Sequence, residues 1–173
     1  TISDAVADPA FTRFCERLWQ DEILPTVPQP EGEDLPAYCA ALLSRYYNPA
    51  IQHRTWQIAM DGSQKLPQRI LGTLRDIVAA GRMPKGLCLV IAGWMRYVAG
   101  TNEAGQAIDV RDPMADQLKV AARSADPVTA LLSIEAIFGS DIASNADVVA
   151  AIQSAYKQLL ADGAAKTVRA YLE

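Results

Sequence analysis

A chain of 173 residues, half of them hydrophobic and 21% charged, with a formal net charge of −4, has the length of one ordinary domain and enough apolar content for one core. That balance excludes wholesale disorder, and the acidic excess provides no positive field to hold nucleic acid or an anionic membrane. The longest apolar run, Leu87 to Met95, is about half of what a bilayer span requires, and no basic-then-apolar signal opens the chain. The expected compartment is therefore the cytoplasm. Cys15, Cys39 and Cys88 are far apart, with no C-x-x-C pair and no partner histidine. They predict neither a disulfide framework nor a zinc site, only apolar filler in a reducing environment.

In chain order, the apolar periodicity predicts helices over 9–24, 35–47, 49–60, 66–80, 87–99, 113–124, 127–138, 146–161 and 164–171. Four of them begin at an Asp-Pro or Asn-Pro pair: Asp8-Pro9, Asn48-Pro49, Asp112-Pro113 and Asp126-Pro127. A short polar side chain can accept from the free amides of a first turn, and the proline after it has no amide to leave unpaired. Gly81, Gly100, Gly139 and Gly163 close apolar runs as helix-ending glycines do. Phe11, Phe14 and Leu18 share one face, as do Leu71, Leu74 and Val78, and Leu131, Ile134 and Phe138. With 29 alanines in agreement, the expected fold class is all-α. Two segments read as loops: the proline-rich, acidic stretch 25–36, and 100–111, which has the turn residues of a small hairpin. Trp94 and Arg96, in the helix over 87–99, are expected as core and surface charge.

No glycine-rich phosphate loop occurs, and the single histidine, His53, has no serine or cysteine in triad order. Self-contained catalysis is not expected. The informative segment is 48–69, NPAIQHRTWQIAMDGSQKLPQR. If its first half is helical, His53 and Gln57 share one face and Arg54, Ile58 and Asp61 another. Gly62 suits a left-handed exit, Ser63 a new cap, and Pro67 a helix restart, which leaves Lys65 and Arg69 at a helix start. Cations there oppose the helix dipole unless an anion is close. That anion is either a bound carboxylate or phosphate, or Asp61 itself. His53 reads as a substrate contact or a structural histidine, and Arg54 as a ligand clamp or a solvated charge.

The run NPAIQHRTWQIAMDGSQKLPQRIL resembles the C-terminal domain of the polyol-specific long-chain dehydrogenases, the mannitol dehydrogenase family, and within it the branch acting on mannonate. The likeness continues through GWMRYVAGTNEAG at 93–105, Asp112-Pro113 and LLSIEAIFGSDI at 131–142. It implies a helical domain similar to that of 6-phosphogluconate dehydrogenase, in a cytoplasmic, NAD-dependent enzyme with no catalytic metal that interconverts D-mannonate and D-fructuronate. An N-terminal Rossmann domain would hold the nucleotide. The family's general base, in a Lys-x4-Asn-x2-His motif, would lie upstream of Thr1, so residues 1–173 alone should be inactive. The resemblance carries substrate contact onto His53, Arg54, Gln57, Asp61 and Lys65, with Arg69 beside them. Mannitol-specific members tend to have arginine where this chain has Gln57. The competing expectations are a polyol dehydrogenase domain, and a free-standing helical interaction module whose polar row meets no pocket.

Overall fold

The computed structural model describes all of residues 1–173. Thr1 and Asp4 form a reciprocal capping box for α1 (Ile2–Val6), a helix that the periodicity misses. Asp8 accepts from the Ala10 amide at 2.9 Å and opens α2 (Pro9–Leu18). The helix continues through a π turn, Trp19–Ile23, and a 3-10 turn, Leu24–Thr26, which accommodate Pro25. After the proline-rich loop, Asp34 caps α3 (Leu35–Tyr47).

The predicted helix over 49–60 is only half present. Asn48 ends α3 rather than starting a new helix, and its side chain accepts from the Ala50 amide at 2.9 Å, closing a local turn. Helix resumes at α4 (Thr55–Ala59). The next helix starts at α5 (Gly62–Leu66), five residues before the expected restart at Pro67. Pro67 lies inside a continuous helix, where a π turn, Pro67–Leu71, widens the backbone around the missing amide before α6 (Gly72–Ala79).

The apolar run becomes α7 (Lys85–Val98), in which Leu87, Cys88, Ile91, Ala92, Met95 and Val98 are all 1% exposed or less. It is the axis of the core. α8 (Ala115–Ala122) starts two residues later than expected, after a Pro113-Met114 turn, while α9 (Pro127–Leu132) begins at its Asp126 cap. α10 (Glu135–Ser144) and α11 (Ala146–Leu172) follow, interrupted at Gly139 and Gly163. All four closing glycines have positive φ, as expected. The most extensive helix pairing is between α7 and α11, and α11 buries Val148, Ile152, Leu159 and Val168. The loop over 100–111 is a small hairpin with a single bridge, Thr101 to Ala107. The protein is all-α, and no helix is long and apolar enough to cross a membrane.

Arg96 is more than a surface charge. Its guanidinium donates to the carbonyls of Thr101 at 2.6 Å and Asn102 at 3.1 Å, clamping the hairpin to α7. From there Glu103 reaches α11 and accepts from the Ala164 amide at 2.7 Å, where the helix restarts after Gly163. Cys88 is buried, and its thiol is pushed up to about 12 by burial and the nearby Glu22 charge, so it is not nucleophilic.

Glu22 is absent from the sequence expectations. It is 6% exposed and accepts from the amides of Gly86 at 2.6 Å and Leu87 at 2.8 Å, capping α7 from the Trp19–Ile23 turn. Burial pushes its carboxyl above the ordinary 4.5, although the two amides pull the other way. Over that interval the native chain holds a proton the unfolded chain has released, so this group's stabilisation falls as pH rises through the window. Glu22→Gln removes the titration and keeps one acceptor oxygen for the two amides. Urea unfolding of both proteins from about pH 4 to about pH 8 should show the wild type losing stability relative to E22Q as pH rises. A pH-independent difference would mean the carboxyl titrates alike in both states.

Candidate functional site

The segment singled out by sequence folds as a strained turn between two helices. Asp61 is the only non-glycine residue with positive φ, at 55°; the left-handed position falls on it rather than on Gly62. Such a conformation persists only where its surroundings over-determine it. Here the Asp61 amide donates to the Arg111 carbonyl at 3.0 Å, and the Asp61 carbonyl accepts from Gln64 and Lys65, each at 3.0 Å. Gly62 is glycine for lack of space. A Cβ there would lie 2.2 Å from the Trp94 Nε1 atom, and that indole N–H is buried without an acceptor.

The helix start does have its anion, and it belongs to the chain. It is Asp112, not Asp61. One carboxylate oxygen accepts from the Ser63 amide at 2.8 Å, and the other from the Ser63 hydroxyl at 2.6 Å and the Met114 amide at 2.9 Å. Ser63, 2% exposed, therefore faces inward and holds the turn. Starting the helix at Gly62 also moves the cations: Lys65 ends its first turn and Arg69 lies in the π turn after it.

Lys65 donates to the Ile58 carbonyl at 3.0 Å, at the end of α4, and has no carboxylate partner; all six ion pairs lie elsewhere. Gln57 accepts from the Arg54 amide at 3.2 Å, so these two residues are joined at the start of α4. His53 is exposed and precedes the helix, so it does not share a helical face with Gln57. It touches the rest through its backbone, its carbonyl accepting from the Ile2 amide at 2.9 Å. Arg54, Asp61 and Arg69 have exposed side chains, and no side-chain hydrogen bond joins His53 or Arg69 to the others.

Two contributors are missing from the sequence expectations. The Arg111 guanidinium stacks over the Trp56 ring at 4.6 Å and pairs with Asp109 at 2.7 Å, tying α4 to the segment before Asp112. The Asp112 bond to Ser63 is the other. Both join residues about fifty positions apart, which helical periodicity does not register. His53, Arg54, Gln57, Asp61 and Arg69 are exposed, and Lys65 is half-buried. None of the five principal cavities is lined by Lys65, Arg54 or Gln57; the largest, about 530 Å³, lies between Arg17, Glu22, Arg82 and Tyr171. No group of three His, Cys, Asp or Glu side chains is placed to hold a metal ion.

Residues 1–160 match the family model for the mannitol dehydrogenase C-terminal domain. The D-mannonate oxidoreductase of Escherichia coli K12 is 49% identical over 98% of this chain and 36% of its own length. A mannitol 2-dehydrogenase of Phaeosphaeria nodorum is 34% identical over 98% of this chain and 30% of its own length. Among solved structures, the Pseudomonas fluorescens mannitol 2-dehydrogenase in ternary complex with NAD and D-mannitol superposes with a TM-score of 0.95 at 28% identity, over 99% of this chain and 35% of that one. The chain thus spans about a third of the length of the relatives it matches.

The packing at Gly62 is directly testable. Gly62→Ala should lower stability by about 1–3 kcal/mol, the usual cost of overpacking, whereas Gly72→Ala, with nothing within 4 Å of a new Cβ, should be neutral or stabilising by up to about 1 kcal/mol. Thermal unfolding of the two variants reads the contrast, and equal behaviour would remove the close approach as an explanation.

Proposed function

This chain belongs to the mannitol dehydrogenase family, and on that footing we propose that it is the substrate-facing helical domain of an NAD-dependent oxidoreductase interconverting D-mannonate and D-fructuronate. The observation that carries the reading is Lys65: an ammonium group oriented by a carbonyl, free of any carboxylate, next to a turn fixed by Asp112, Arg111 and Trp94. In this reading Lys65, Arg54 and Arg69 meet the sugar acid's carboxylate, and His53, Gln57 and Asp61 its hydroxyls. A free carboxylate gives three cations a use that a neutral polyol does not. The higher identity to the mannonate enzyme than to the mannitol enzyme supports the same choice.

The chain has no strand beyond one bridge and no glycine-rich turn between strand and helix, so it contains no Rossmann-type nucleotide-binding unit. NAD would be held by a Rossmann-type domain elsewhere in the complete protein, and its chemistry lies outside these residues. The general base would also come from outside them. The Ile2 amide donates to the His53 carbonyl, so the start of α1 lies against this segment.

The exposure of His53, Arg54 and Gln57 favours one competing reading, an interaction module with no sugar site, while the mannitol complex among the structural relatives favours a polyol substrate. One set of assays separates all three. The complete protein should oxidise D-mannonate with NAD and use D-mannitol poorly, and the 173-residue chain alone should do neither. Lys65→Ala should raise KM for D-mannonate roughly tenfold to a hundredfold, the loss of one charge-assisted hydrogen bond. Preference for D-mannitol makes the polyol reading correct, and no turnover of either makes the module reading correct.

A further inference from the structure

We infer that Asp112 is a positioning residue for the substrate site, acting through Ser63 to set where the Lys65 ammonium group lies. The inference deepens the proposed function and rests on Lys65 touching substrate.

The geometry supports a dedicated role. Asp112 does what its position before Pro113 leads one to expect, accepting from the Met114 amide at 2.9 Å. That local duty needs one oxygen. The same carboxylate also takes both donors of Ser63, at 2.8 and 2.6 Å, across 49 positions of sequence. Two helix starts, those of α5 and of the turn into α8, therefore share one charged cap. Lys65 is two residues beyond Ser63 on the same short helix, and its own amide bonds back to Asp61. The left-handed Asp61 leaves this turn little intrinsic preference for its conformation. Arg111, adjacent to Asp112, supplies the carbonyl for the Asp61 amide and the cation over Trp56 of α4. The 109–112 stretch thus holds both sides of the gap that Lys65 bridges when it donates to Ile58. Displacing the Asp112 carboxylate shifts the start of α5, and with it the direction in which Lys65 leaves the backbone. Small misplacements of a binding group are costly in this way even when the fold survives.

The test is a double-mutant cycle in the complete protein, with Lys65→Ala, Asp112→Asn and the pair, using whichever of D-mannonate or D-mannitol the wild type oxidises. Asp112→Asn places an NH2 group opposite a Ser63 donor. It should raise KM for the sugar about tenfold in the wild-type background, leave KM for NAD unchanged, and add nothing in the Lys65→Ala background. A purely structural role would lower thermal stability and give additive or no effects on KM, and that result overturns the inference. If Asp112→Asn does not fold, Ser63→Ala takes its place in the cycle. It removes only the 2.6 Å bond and should raise the same KM several-fold; an unchanged KM there is equally fatal. If the wild type oxidises neither sugar, or if Lys65→Ala leaves KM unaltered, there is no contact to position and the inference falls with the reading beneath it.

Discussion

Every helix start leaves amides with no partner inside the helix, and a chain cut into so many short helices multiplies the problem. Three of the starts here are closed by carboxylates remote in sequence. Glu22 caps α7 across 64 positions, Asp112 caps α5 across 49, and Glu103 caps the restart of α11 across 61. Arg75 does the complementary job at the Gly139 break, donating to the Phe138 carbonyl at 2.8 Å and to Asp141. These bonds serve as local satisfaction and tertiary connection at once. A hydrogen bond in which either partner is ionised contributes more than one between neutral groups, and leaving its buried partner bare costs more. The arrangement of the helices therefore depends on where these few charges meet backbone amides.

The dependence runs from the core to the candidate site. Glu22 fixes the start of α7, and Trp94 on α7 sets the space that admits only glycine at position 62. Arg96, half a turn further along the same helix, holds the hairpin whose continuation carries Arg111 and Asp112. The strained Asp61 turn is thereby approached by α7 on one side and by the 109–112 stretch on the other. Strain of that kind is stable only under such double constraint.

How much of this was legible in the sequence follows from the range of each interaction. The caps that act within three residues, at Asp8, Asp34, Asp126 and Asn145, need only a short polar side chain ahead of a helix, and the closing glycines need only their own backbone. The all-α class and most helix positions follow from these and from apolar spacing. Asn48-Pro49 shows the limit of the rule. Its side chain bonds two residues ahead as at the true starts, but no helix follows, because residues 49–54 are largely exposed and bury no face. Pro67 misleads in the opposite direction, since a π turn lets a helix absorb what sequence reading takes as its boundary. The candidate site residues stood out as polar types in an apolar frame. Their geometry did not, because it depends on Asp112 and Arg111, about fifty positions away.

The way Lys65 is satisfied bears on what it can bind. Arg17, Arg75, Arg111, Lys166 and Arg169 each meet an aspartate, so a substrate anion approaching any of them competes with an ion pair already made. Lys65, like Arg82 and Arg96, is held by backbone carbonyl oxygens and has no carboxylate partner, an arrangement that orients the charge with a dipole and leaves it uncompensated. An arriving carboxylate then gains a full charge interaction without first displacing another anion. On an open surface that attraction is weakened by water and salt, and it strengthens when a second surface closes over the site and excludes solvent. A domain that supplies the cation and its rigid support but not the enclosure is suited to act as one wall of a site, with the opposite wall determining when the charge is felt.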